Sequence, residues 1–110
     1  MLQYMYRESV VEKKLDGYLD DVALKKEIVR HVETGTYKLS KHAAIEQAED
    51  DIDLGDTLHV LKTGYHEKGK TLLVRDVWKY AIRGRTEDRE EIRVIICFSS
   101  EMMIITVMKL

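Results

Sequence analysis

The spacing of apolar residues changes from a helical period to a strand period near the middle of the chain. In the first half, three apolar residues recur every four positions: Leu24, Ile28 and Val32. This spacing predicts a helix over residues 20–34 with one apolar face. Asp20 can cap the start of this helix, and Gly35 stands where a left-handed C-terminal residue belongs. Residues 1–17 carry apolar positions that fit a further helix ending at Gly17, but their pattern is ambiguous.

Two more helices are predicted before residue 65. Ser40 can cap the first, and its apolar side is short: Ala44, Ile45 and Ala48. Asp53 and Asp56 have the spacing of a capping box at the start of the second, which Gly64 ends. The apolar face of that helix is Leu54, Leu58 and Leu61. Residues 37–39 form a short connector that is either irregular or extended.

The residue pattern of the second half predicts β-strands. Residues 71–74 predict one strand, with a short one before it near Tyr65 and His66. Residues 77–85 alternate, so that Trp78, Tyr80 and Ile82 point one way and Lys79, Ala81, Arg83 and Arg85 the other. Residues 92–98 and 102–108 are continuous apolar runs, which predicts central strands covered on both faces. Helices followed by strands indicate an α+β fold, with N-terminal helices packed on an antiparallel sheet of about four strands.

Composition narrows the class of protein. The 110 residues fit a single domain over residues 1–110, and the net charge of −2 gives no signal for nucleic-acid binding by the molecule as a whole. Residues 46–56 form an acidic run, and the second half of the chain is rich in lysine and arginine. The charged residues of that second half form either a local basic face or a solvated surface of mixed charge. Cys97 is the single cysteine of the sequence and lies within a predicted apolar strand, so we expect an unreactive thiol in the core. Neither a signal peptide nor a membrane span is predicted, so we expect a cytoplasmic protein that does not bind membranes.

The order of several short motifs resembles an uncharacterised prokaryotic family placed near the RelE-like and BrnT-like toxins. The motifs are His42-Ala43, Ile52, Gly64, Tyr80 with Arg83, Arg93-Val94-Ile95 and Thr106-Val107. The resemblance covers residues 37–109 and implies a core over residues 36–110 with residues 1–35 as a helical extension. Members of that family commonly carry arginines where this chain has Glu46 and Asp50, which removes two candidate phosphate ligands.

The resemblance implies a toxin of a toxin–antitoxin system that cleaves RNA without a metal, with an antitoxin as partner. Such cleavage needs an acid and a base, and cations that stabilise the phosphorane. His42 is the candidate acid or base; near a helix start, the dipole favours the neutral imidazole. Arg83 and Arg93 are the candidate phosphate ligands. Each has a structural alternative, since His42 can bond a backbone carbonyl and the arginines can pair with nearby carboxylates.

Four further residues complete the expected site. Thr106 is placed with His42 and the arginines as a catalytic candidate, and three residues are expected to bind substrate: Lys79, Tyr80 and Arg85. Each of these three has a structural alternative. Tyr80 has the spacing of a core aromatic residue in a strand, and Lys79 and Arg85 lie on the strand face that is expected to be solvated. His42 and Glu46 lie one helical turn apart, and with His59 and His66 they lack a recognised ligand spacing, so neither a metal nor a cofactor is expected.

A non-catalytic interaction module is the alternative to the toxin. In that case the chain keeps the fold without the nuclease site, because carboxylates over residues 46–56 repel a phosphate substrate. RNA, an antitoxin and a second copy of the chain are all open as partners.

Overall fold

The three helices expected from the sequence are all present in the computed structural model, which describes residues 17–110. They are α1 (Asp21–Thr34), α2 (Lys41–Glu49) and α3 (Leu54–Thr63). The Asp20 side chain accepts a hydrogen bond from the Ala23 N–H at 2.9 Å, and Gly35 ends α1 with a φ of 70°. Ser40 caps α2 in the same way. The helix considered for residues 1–17 falls almost wholly outside the described residues.

Helix α3 starts with the expected capping box and ends at a glycine for a packing reason. Asp53 and Asp56 each accept a hydrogen bond from the other's backbone N–H. Gly64 is in an extended conformation, and a Cβ there would lie 2.6 Å from the carbonyl oxygen of Arg83. A Cβ on Gly84 would in turn lie 2.9 Å from the Cα of Gly64. Two glycines therefore let the end of α3 approach the sheet closely.

Among residues 17–110 the sheet has six strands and is mixed, so the expected antiparallel sheet of about four strands is only partly right. The strands are β1 (Tyr37–Leu39), β2 (Tyr65–His66), β3 (Leu72–Val74), β4 (Val77–Arg85), β5 (Glu91–Phe98) and β6 (Met102–Lys109). Their order is β1-β6-β5-β4-β2, and β3 also pairs with β4. Strand β1 runs parallel to β6 and lies between α1 and α2 in sequence, so the helices do not form one N-terminal block. A strand of three residues is too short to show an alternating pattern. The sequence therefore predicted only a connector over residues 37–39 and did not decide whether it is extended.

The core lies between one face of the sheet and the helices. The three long strands contribute the following buried residues to it: Tyr80, Ile82, Ile92, Val94, Ile96, Met102, Ile104 and Val107. Leu24 and Ile28 of α1, and Val60 and Leu61 of α3, pack against them. Helix α1 is therefore part of the same core as the strands. Because buried apolar area supplies most of the driving force for folding, these residues hold the two layers together.

The second face of the sheet is only half-buried among the described residues, which corrects the expected cover on both faces. Ile95, Cys97 and Met103 alternate with the core residues of β5 and β6 and remain partly accessible. We call this side of β4, β5 and β6 the open face. Its apolar content explains why the two strands read as continuous apolar runs.

Helix α2 lies along the part of β6 that β1 does not reach. Pairing with β1 ends at Ile104. Beyond it, the Glu46 carboxylate accepts a hydrogen bond from the Val107 N–H at 3.0 Å, and the Asp50 carboxylate accepts one from the Lys109 N–H at 3.4 Å. Side chains of a helix thus take the place of a neighbouring strand and satisfy backbone donors that an edge would leave open.

Candidate functional site

The two candidate arginines lie side by side on the open face. Arg83 of β4 and Arg93 of β5 are directly opposite each other in the antiparallel register. Both reach the carboxylate of Glu67, which follows β2. Arg93 donates to it through two nitrogens, at 2.6 and 3.0 Å, and Arg83 through one, at 3.2 Å. One carboxylate therefore separates two guanidinium groups that would otherwise repel each other across the strands.

A second carboxylate completes this cluster, which we call the arginine cluster: Glu67, Arg83, Glu91 and Arg93. Arg83 Nε donates to Glu91 at 2.8 Å. The hydrogen bond from Arg93, and then that from Arg83, holds the pKa of Glu67 below its ordinary value. Arg83 lowers the pKa of Glu91 in the same way, and the carboxylates raise the pKa of both arginines. All four groups are ionised near neutral pH, and together the cluster carries no net charge.

His42 makes no hydrogen bond or salt bridge with the arginine cluster in the described part of the chain. It lies in the first turn of α2 with 68% of its side chain exposed, and its Nε2 lies 3.1 Å from the Glu46 carboxylate. Glu46 in turn is bonded to the backbone of β6. The imidazole thus has a carboxylate partner within its own helix, and its contacts include neither Arg83 nor Arg93. The described geometry does not join the expected acid–base group and phosphate ligands in one cleft.

Three other predicted residues share the open face with the arginines. Thr106 lies opposite Ile95, next to an irregularity in the pairing of β5 with β6. Burial raises the pKa of the Cys97 thiol, and this effect is larger than the opposite effect of the nearby Lys79 charge, which lowers that pKa. That outcome agrees with an inert thiol. Arg85 is exposed at the end of β4, opposite Glu91.

Tyr80 lies on the other face, in the core, which corrects its placement with the substrate-binding residues. Only 1% of the residue is exposed. Its hydroxyl donates to the Gly17 carbonyl at 3.1 Å and accepts from the Leu19 N–H at 2.8 Å. Burial raises the pKa of the phenol. With its ring enclosed and its hydroxyl occupied, Tyr80 anchors the chain before α1 and has no face on which a base could stack.

Glu67 organises the arginine cluster, and sequence reasoning missed it. It lies 16 residues before Arg83 and 26 before Arg93, in the turn between β2 and a short 3₁₀ helix (Lys68–Lys70). The one available signal was an arginine within an apolar strand, which requires a carboxylate partner when it is partly buried. That rule predicts a partner but does not say which of the nearby carboxylates supplies it.

A Thr-His-Asp arrangement joins the start of α1 to the strand edge. The His66 side chain, only 3% exposed, has Nδ1 2.9 Å from Asp21 and Nε2 2.8 Å from the Thr71 hydroxyl. This order resembles a nucleophilic triad. However, the Thr71 oxygen also accepts from the Ala81 N–H at 3.0 Å and lies 3.2 Å from the Glu67 carbonyl. Two backbone groups bind the Thr71 hydroxyl, so these hydrogen bonds have a structural role: they connect the start of α1, β2 and β4.

A cleft of about 520 Å³ lies beside this arrangement, between α1 and β2. Lys25, His66 and Lys68 are among its lining residues, but none of the predicted site residues is. Within residues 17–110, three or more His, Cys, Asp and Glu side chains do not come together in a way that could hold a metal ion. Nor does that part of the chain contain a helix long and apolar enough to cross a membrane.

Fold and site together define a two-layer α+β domain whose open sheet face carries a neutralised pair of arginines. Residues 39–109 match the family described as Domain of unknown function (DUF4258). Because the match spans more than half of the chain, the chain belongs to that family. The comparisons with curated proteins and with solved structures found no match. The expected uncharacterised family is thereby confirmed, while its relation to RelE-like and BrnT-like toxins stays a prediction.

Proposed function

We propose that this chain is a non-catalytic interaction module that binds a protein partner on its open face. The observation that carries this proposal is the internal neutralisation of the candidate phosphate ligands. Glu67 accepts hydrogen bonds from Nε and Nη2 of Arg93 and from Nη1 of Arg83, and Glu91 accepts one from Nε of Arg83. A phosphate would have to displace a carboxylate already bound there and would meet its negative charge.

The composition of the open face indicates the chemistry of the partner. Partly accessible apolar side chains, among them Ile95, Cys97 and Met103, lie beside four cations and two carboxylates. The cations are Lys79, Arg83, Arg85 and Arg93, and the carboxylates are Glu67 and Glu91. Apolar area with an excess of positive charge is complementary to an amphipathic protein segment that carries carboxylates.

The test is to recover the full chain by affinity tag from the cells that encode it, beside Ile95→Lys. Ile95 is partly exposed at the centre of the open face, so a lysine there adds charge without opening the core. We expect the wild type to retain a stoichiometric protein that the variant loses, at equal soluble levels and equal melting temperatures. Recovery of the chain without any stoichiometric protein would contradict the proposal.

The endoribonuclease toxin is the second candidate, and one observation favours it. Five of the seven predicted site residues share the open face: Lys79, Arg83, Arg85, Arg93 and Thr106. Induced expression in a bacterial host distinguishes the two proposals, using wild type, His42→Ala and Arg93→Ala. Growth arrest that either substitution relieves would support the toxin. Normal growth for all three, with abundant folded protein, is the result expected of an interaction module.

A further inference from the structure

The cleft between α1 and β2 has the dimensions of a small-molecule site. Its volume of about 520 Å³ lies within the range of roughly 300–1,000 Å³ that such sites occupy. Four of its lining residues are aliphatic side chains of the core, and they form its floor: Leu24, Ile28, Leu61 and Ile82. Because aliphatic side chains neither donate nor accept hydrogen bonds, the part of a ligand that reaches this floor has to be apolar.

Lys25 supplies a positive charge to this cleft that no carboxylate among the described residues neutralises. The residue is half-buried, and its Nζ donates a hydrogen bond to the Gly64 carbonyl at 3.2 Å. Asp21 lies one helical turn before Lys25, but its carboxylate binds His66 and Lys68 instead. An ammonium group has three donors, so the single bond to a carbonyl leaves two of them for a ligand.

The charged residues that line the cleft select the charge of a ligand. Lys25 and Lys68 are cations and Asp21 is an anion, so the lining has one positive charge in excess when His66 is neutral. Both ring nitrogens of His66 are already bound, one to Asp21 and one to Thr71, so the ring offers no free hydrogen-bonding group. A monoanion balances the excess charge, whereas a dianion leaves a negative charge beside Asp21.

We propose that this cleft binds a small aliphatic monocarboxylate. The carboxylate of the ligand accepts charge-assisted hydrogen bonds from the Lys25 ammonium, and its aliphatic part lies over the apolar floor. None of the open-face residues named above lines the cleft. The site is therefore separate from the surface proposed to bind a protein partner, and neither proposal depends on the other.

The partial enclosure of Lys25 distinguishes it from the lysines of the solvated surface. Water and salt screen an exposed ammonium, so such a group attracts an anion only weakly. A half-buried ammonium lies in a lower effective dielectric, and its bond to Gly64 already holds it at the cleft. Lys68 is 65% exposed, so it contributes a smaller attraction from the rim.

The experiment is isothermal titration calorimetry of the full chain with three probes: hexanoate, hexanol and inorganic phosphate. Hexanol has the aliphatic chain without the charge, and phosphate has the charge without the chain. We expect hexanoate to bind with a Kd of about 1–10 mM or tighter, and both other probes to bind at least about tenfold more weakly. Absence of hexanoate binding at about 20 mM overturns the proposal. So does phosphate that binds as tightly as hexanoate.

Two substitutions locate the site, and a third is their control. Lys25→Gln should weaken hexanoate binding at least about tenfold, because it removes the charge that binds the carboxylate. Lys26→Gln makes the same charge change at an exposed neighbour that does not line the cleft, and it should leave binding unchanged. Lys68→Gln alters only an exposed side chain, so it tests the site without disturbing the fold, and it should weaken binding about threefold.

The variants also give results that contradict the proposal. Hexanoate binding that Lys68→Gln and folded Lys25→Gln leave unchanged overturns it. Equal weakening by Lys26→Gln overturns it as well, because a general attraction of anions to the cationic side of α1 would then explain the binding. Amide chemical shifts provide a second readout: hexanoate should move those of Gly64 and His66 and leave that of Ile95 on the open face unchanged.

Discussion

At the scale of single residues, Glu67 has the largest structural role that its sequence position does not reveal. Its carboxylate is mostly enclosed and binds Arg83 and Arg93 through three hydrogen bonds. Charge-assisted hydrogen bonds of this kind are stronger than neutral ones. Removing the carboxylate leaves Arg93, which is only 13% exposed, beside a second cation without a neutralising partner.

We therefore expect Glu67→Gln to lower the free energy of unfolding by about 1–3 kcal/mol, because a partly buried charge loses its partner. Urea unfolding followed by circular dichroism measures this difference. The matched control is Glu101→Gln, which breaks the exposed pair with Lys38 and should change stability little. Equal effects of the two substitutions would show that the arginine cluster does not contribute as the contacts indicate.

The same carboxylate predicts a pH dependence. The folded pKa of Glu67 lies below its ordinary value of 4.5, so the folded state favours the ionised form. A group with a lowered folded pKa stabilises the fold fully above its unfolded pKa and loses that contribution as the pH falls through the folded pKa. We expect the wild type to lose stability below about pH 4.5 more steeply than Glu67→Gln. Melting temperatures of both proteins between pH 3 and 7 test this, and parallel curves would contradict it.

At the scale of elements, α2 acts as a substitute for a strand beside β6. This gives the acidic residues of α2 a structural explanation. Glu46 and Asp50 bind backbone N–H groups of β6. An arginine has donors and no acceptor, so it could not make these bonds. Carboxylates at these two positions are therefore part of how this chain closes its sheet edge.

We expect Glu46→Ala to destabilise the chain by about 1 kcal/mol, because the Val107 N–H loses its acceptor. Amide hydrogen exchange provides a local measurement, since protection of Val107 should fall more than that of core amides on β5. Glu49→Ala is the matched control, because Glu49 lies exposed on the same helix. If Val107 were protected equally in both variants, α2 would not be closing the edge.

At the scale of the whole molecule, α1 belongs to the core although it precedes the residues that match the family. Leu24 and Ile28 are each 1% exposed and pack in the same cluster as the strands. Tyr80 adds a polar tie to Gly17 and Leu19, just before the helix. Residues 39–109 match the family, yet the buried surface of this chain extends beyond them.

We accordingly expect a chain that begins at residue 36 to lose cooperative folding. Full burial of one leucine or isoleucine stabilises by about 1.5–3 kcal/mol, and a small domain has only about 5–15 kcal/mol in total. Thermal unfolding of residues 36–110 beside the full chain checks this expectation. A sharp transition at the same temperature would mean that the strands and the other two helices suffice.

Local signals in the sequence determined the helices and the main strands. Caps at Asp20, Ser40 and Asp53 depend on neighbours three residues away, and the alternation over residues 77–85 depends on period alone. Such short-range chemistry can be read directly from the order of residues. The three-residue strand β1 was not resolved in this way, because its hydrogen-bonding partner lies 65 residues further along the chain.

Tertiary structure alone decided which partners the charged residues of the open face bind. The sequence identified Arg83 and Arg93 as a pair of interest, and their register on adjacent strands brought them together. Glu67 became their partner, Glu46 bound the backbone of β6, and Tyr80 entered the core through contacts between distant segments. Ion pairs and hydrogen bonds form between whichever groups the packing of apolar faces brings within reach, and sequence spacing does not encode that distance.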